Sequence, residues 1–270
     1  MNLKKLVSKK DTLLSLSKKE KFVVTVTILS TGLFLTESVL GKSAFYITFF
    51  LAILTDVLLF WSIRKDILEN FTFNIFILPF FYSLSSGLFY FLAPARLLTR
   101  IVMTTVYAIG LYALLRSQNI FAIASIRTIA LLAAARIVSF VVTILSYFFL
   151  VNIVFSLHLP IVFTALIIFV FSFFLSNQSF WTITLQRSVK THMLYALSVS
   201  LCLAEIAVFL WFWPTNPTII AIFLSGFFYT TVGLSQVWLD RRLFRGVMWE
   251  YLWVATIVFC GLMLFTSWGG

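Results

Sequence analysis

Residues 161–175 read IVFTALIIFVFSFFL, an apolar run interrupted only by Thr164 and Ser172. The run does not alternate, so it is not an outer-membrane β-strand, whose mark is about ten residues of alternating polarity. Widened to 159–178, it supplies the roughly 20 apolar residues a helix needs to cross a bilayer core. In lipid each backbone N–H and C=O must be satisfied within its own segment, which leaves the helix as the reading.

The same template, carried outward in both directions, gives nine spans: 22–40, 44–63, 71–93, 97–116, 131–155, 159–178, 192–213, 217–239 and 247–267. The expected fold is all-α, a polytopic membrane bundle of about nine transmembrane helices. Residues 22–270 form a single transmembrane domain behind a basic tail, 1–21. Composition points the same way. The 270 residues are 61% hydrophobic and 11% charged, with a mean hydropathy of +1.06, where a soluble domain carries about 25% charge. Such a chain cannot cover a water-facing surface, which excludes a soluble globular protein, a disordered one and a nucleic-acid binder. No connection approaches the roughly 50 residues a soluble domain needs. Any chemistry is therefore placed in the membrane or at its edges.

The net charge of +11 reads as orientation. With the N-terminus cytoplasmic and nine crossings, only Lys42, Arg96 and Arg100 of the 20 basic residues fall outside, leaving 17 within. The C-terminus then lies outside, and the expected location is the cell (plasma or inner) membrane. Arg127 and Arg136 interrupt the stretch 117–136, because an unpaired arginine at mid-bilayer costs at least about 2.5–3.5 kcal/mol. Residues 119–130 are accordingly expected as an interfacial lead into the fifth span, the alternative being a tenth crossing. The first apolar run is too long for a removable signal and reads as a retained span. In the tail, Leu3, Leu6, Val7, Leu13 and Leu14 can share one helical face above lysines, as in a segment lying on an anionic leaflet. The other reading is a solvated tail that enforces orientation.

Charges inside the membrane mark candidate sites, since each needs a partner or a wet cavity. Glu37 near the outer end of span 1, Glu205 in the outer half of span 7, and Arg96 with Arg100 opening span 4 stand at comparable depth. Two readings follow: one cavity that binds an anionic or zwitterionic group, or ion pairs that fix helix order. Asp56, in the inner half of span 2, has Arg136 as its candidate partner. From Arg136, the residues Ser139, Thr143 and Ser146 step by three and four along one helical face. That stripe is either a polar track from the cytoplasm or glue between helices. Gly226, Tyr229, Gly233 and Gln236 put small residues on one face of span 8, which is expected near the bundle centre. In span 3, Asn74, Pro79, Tyr82, Ser83, Ser86 and Gly87 add a kink and hydroxyl groups.

Cys202 and Cys260 sit in apolar runs, as small buried hydrophobes do. His158 and His192 fall on opposite sides of the membrane, and no lysine stands at mid-membrane. There is no HExxH, paired DxxD or glycine-rich nucleotide motif. Neither a cofactor nor a metal is expected. Three functions fit. The first is a carrier or flippase-like protein for a small or lipid-linked anionic or zwitterionic substrate, using Glu37, Arg96, Arg100 and Glu205. The second is a non-catalytic membrane subunit or scaffold whose partners are other membrane subunits. The third is an enzyme acting on a lipid through Asp56 or Glu205. Membrane lipids are partners in all three.

Overall fold

The computed structural model describes residues 17–39, 44–67, 72–92, 97–124, 131–185 and 189–266, with the side chains at 36–39, 44, 65–67 and 189–191 outside that description. Among the described residues there are nine helices and no strand: α1 Lys18–Val39, α2 Ala44–Ile67, α3 Asn74–Leu92, α4 Leu97–Ala124, α5 Leu132–Ser156, α6 Ile161–Thr184, α7 Val189–Trp211, α8 Pro217–Leu239 and α9 Arg245–Leu264. Eight of them, α2 to α9, are long and apolar enough to cross a membrane. With 22 residues, α1 is about 33 Å long at 1.5 Å per residue and packs against α2 and α4.

Local chemistry sets the ends. Ser17 and Glu20 form a capping box: the Glu20 N–H donates to Ser17 Oγ (3.4 Å) and the Ser17 N–H to Glu20 Oε2 (2.7 Å). The first helix therefore starts at Lys18 rather than at 22 and takes Lys18, Lys19 and Lys21 with it. Lys21 then stands 4.8 Å over the ring of Trp61 on α2. Pro217 opens α8, where its missing N–H costs nothing. Pro79 lies inside α3, and α2 kinks at the buried Ile63 (φ −116°, ψ 18°).

One boundary corrects the sequence reading. Residues 119–124 are not a lead into the fifth span; they are the last turns of α4, which runs 28 residues. Ser117, Gln118, Phe121 and Ala122 are buried there against the bundle, so the helix continues past the exposed Arg116. Arg127 and the tail residues 1–16 lie outside the described residues, and no tenth crossing occurs among those described.

Successive helices run in opposite directions. Thr25 near the start of α1 meets Ser62 near the end of α2 (3.4 Å), Thr184 closing α6 meets His192 opening α7 (2.7 Å), and Asn152 late in α5 donates to Thr218 at the start of α8 (3.1 Å). The bundle thus has two ends. The half where α1 begins carries Lys18, Lys19, Lys21, Arg64, Arg116, Arg136, Arg241, Arg242 and Arg245, and is called the basic end below. His158 lies at the opposite end and His192 at the basic one.

The centre belongs to α3 and α5, not to α8. The helix α5 packs against α3, α4, α6 and α8, and α3 packs against α2, α4, α5 and α6. On α8, Gly226 faces Val258 and Gly233 faces Tyr251, both on α9, so the small residues seat the outermost helix. Both cysteines are exposed on the outer surface rather than buried. Under lipid, a small apolar side chain is as well placed outside as inside.

Candidate functional site

Of the four outer charges, the two with described side chains, Arg100 and Glu205, lie on helices that do not pack together. Arg100 sits half-buried on α4, among α1, α2, α3 and α5. Glu205 is exposed on α7, in a cleft walled by α7, α8 and α9. The side chains of Glu37 and Arg96 lie outside the described residues. Phe34 and Leu35 line a small cleft with Thr104 of α4, one turn from Arg100. The α1/α4 end and the Glu205 cleft are separate places.

Asp56 stands halfway along α2, and its Oδ1 is buried with no hydrogen-bond partner among the described residues. It does not pair with Arg136. The adjacent hydroxyls do not serve it either, because their protons are spoken for. Thr55 Oγ1 donates to the Leu51 carbonyl (2.8 Å), so it accepts from Ser83 Oγ (2.7 Å), which in turn accepts from Tyr107 OH (2.8 Å). With one proton per hydroxyl, the chain has a single direction, from α4 through α3 to α2. Tyr82 stacks on Tyr107 at 5.7 Å and donates to the carbonyls of Val106 (3.2 Å) and Tyr107 (3.3 Å). Gly110 leaves room for the Tyr82 hydroxyl. This knot ties α2, α3 and α4 together.

Arg136 closes the basic end of α6. Its Nε donates to the Thr182 carbonyl (3.0 Å) and its Nη2 to that of Ile183 (2.9 Å). A helix C-terminus exposes carbonyls with no partner of their own, and a guanidinium meets them with fixed donors. The stripe above it is buried. Thr143 and Ser146 donate to carbonyls of their own helix, those of Ser139 and Val142 (2.8 Å each), while Ser139 Oγ accepts from Gln178 Nε2 (3.4 Å).

That last bond leads to a cluster the sequence reading did not assemble. Near the basic end of α6, Ser176, Asn177, Gln178 and Ser179 interrupt the apolar run, and three helices bond to them. Asn177 donates to Asn74 of α3 (3.3 Å), Gln178 to Ser139 of α5, and Gln236 of α8 to the Ser179 carbonyl (3.1 Å). On α4, the ring of Phe121 lies 6.1 Å from that of Trp181. The helices α4 and α6 run the same way, so Gln118 and Gln178, each three residues earlier, share a level. At the very end of α6, apart from this group, His192 of α7 bonds Thr184. Gln118 is fully buried, and neither end of its amide has a hydrogen-bond partner among the described residues; the same holds for Gln178 Oε1, Ser176 Oγ, Ser179 Oγ and Asn119 Oδ1. The belt lies about 9 Å inside the end of α6, six residues on at 1.5 Å each. The visible signal was the consecutive polar run 176–179, which hydropathy averages away because none of the four is charged.

A bundle of helices with apolar outer faces and a group of polar side chains from α3, α4, α5, α6 and α8 toward one end is the architecture of a multi-pass membrane protein. The chain belongs to the family described as Protein of unknown function (DUF5656), whose model matches residues 22–265. No curated protein matches the chain. No solved structure matches it either.

Proposed function

We propose that the protein is a carrier or flippase-like protein of the cell membrane, and that the belt around Gln118 and Gln178 binds the substrate. One observation carries this reading: the amide of Gln118, at zero exposure, and Gln178 Oε1 both have no hydrogen-bond partner among the described residues. A buried polar group left without a partner costs about 1–3 kcal/mol. Several such groups at one level are maintained at that cost where water or a polar substrate completes them. Amides and hydroxyls offer donors and acceptors in equal measure and no net charge. The substrate they fit is small or lipid-linked, with a zwitterionic or hydroxyl-bearing head, rather than a bare anion. Arg136 bounds the belt on its cytoplasmic side in the expected orientation, with its guanidinium held by α6.

The test uses proteoliposomes carrying fluorescent phosphatidylcholine or phosphatidylethanolamine, bleached from outside, alongside counterflow of labelled zwitterionic solutes. Wild-type protein is expected to move at least one of these. Gln118→Leu should reduce that movement at least tenfold with an unchanged or raised melting temperature. A variant that moves substrate normally would remove the belt from the mechanism.

The second reading, a membrane subunit, is favoured by α9. That helix rests on α8 and exposes Trp249, Trp253 and Ile257. A stable heteromeric complex in mild detergent, lost on replacing Trp253 with Ala, would support it.

A further inference from the structure

The Glu205 cleft takes no part in the belt. We propose that it is a binding site for a hydrophobic organic cation that enters from the lipid phase.

The cleft exists because α7 and α9 both rest on α8 and leave a gap over it. Its volume is about 570 Å³, within the roughly 300–1,000 Å³ of small-molecule sites. Phe209, Phe223, Phe227 and Phe259 supply aromatic walls, with Trp213 toward the end of the bundle opposite the basic one. Trp213 is held in place by its Nε1, which donates to Thr266 Oγ1 (2.7 Å). Glu205 lies six residues before Trp211, about 9 Å inside that end of α7. It forms no ion pair or hydrogen bond with any described residue, and it is exposed.

Charge complementarity selects the occupant. A carboxylate at hydrocarbon depth is stabilised by a cation and repels an anion. The faces of aromatic rings carry negative potential and attract a cation in the same sense. One acid among four phenylalanines is therefore a receptor for a positive centre on an apolar body. A phosphate-headed or sulfate-headed amphiphile meets only repulsion here. A neutral lipid tail fills the volume but leaves the carboxylate without a counter-charge.

Tetraphenylphosphonium is a suitable probe, being cationic, aromatic and of a size for the cleft, and triphenylphosphine oxide is its uncharged counterpart. Binding of both would be measured at equilibrium on the full chain in phosphatidylcholine nanodiscs. Saturable binding of the cation is expected, at least tenfold tighter than that of the oxide. Glu205→Gln should weaken the cation at least tenfold and leave the oxide unchanged. Phe227→Ala should weaken both by a smaller factor. Gln118→Leu should leave cation binding intact, which separates this site from the belt whether or not the belt transports. Equal binding of the cation by wild type and Glu205→Gln overturns the proposal. So does absence of saturable binding, including the case in which a second copy of the chain fills the cleft and the protein runs as a dimer.

Discussion

At the residue scale the clearest statement concerns Gly110 and Tyr82. A methyl group at 110 would land on the Tyr82 hydroxyl, which is fully buried and bonded to α4. Gly110→Ala should lower stability by about 1–3 kcal/mol, the usual effect of overpacking. Tyr82→Phe alone should lose about 0.5–1.5 kcal/mol, one net hydrogen bond. The double variant should be less damaged than the sum, because the phenylalanine vacates the space the methyl needs. Thermal unfolding of the four proteins in one detergent measures this. Ser83→Ala should cost more than Tyr107→Phe. The first strands the buried Tyr107 proton and a Thr55 acceptor, whereas the second removes the end of the chain. Residue types were legible in the sequence, and their partners were not. Arg136 stands out as an intramembrane cation, and a carboxylate is the obvious partner to seek for it. The carbonyls it meets belong to the end of α6 and have no signature in residue type. Gln118 is quieter still, since as an uncharged amide it falls between the span ending at 116 and the interfacial lead expected from 119.

Among the elements, spans of about 20 apolar residues fixed the number and rough placement of the helices, because the bilayer imposes that length on any sequence. Their ends depend on local bonds. The capping box starts α1 four residues early, and Ser17→Ala should cost about 1 kcal/mol. Hydrogen exchange should show the loss confined to the amides of the first turn, 18–21. The prolonged end of α4 follows from burial: Phe121 at zero exposure makes further helix favourable where hydropathy had ended it. The small residues of α8 were read correctly as a packing face, but the partner they seat was not foreseen. Gly233→Leu should push Tyr251 aside and unseat α9, while the remaining helices keep their arrangement. A disulfide between cysteines at 226 and 258, formed in the parent background, should then fail to form with leucine at 233.

On the scale of the whole molecule, charge and hydropathy describe the outside of the bundle well, because lipid and water act on averages. They describe the inside poorly, because the interior is decided by which helix faces which. Glu37, Arg96, Arg100 and Glu205 share a depth in the sequence reading, yet α4, which carries Arg100, and α7, which carries Glu205, do not pack together. The polar groups that do converge come from α3, α4, α5, α6 and α8 and lie toward the basic end. The central claim is that this belt is a hydrated binding chamber rather than dry packing. The direct measurement is thiol labelling of Gln118→Cys, with Cys202 and Cys260 replaced by serine, using a membrane-impermeant reagent applied from each side of sealed vesicles. Labelling from the basic side, slowed by a transported solute, is the predicted result. A correctly folded protein whose cysteine at 118 reacts from neither side would contradict the account.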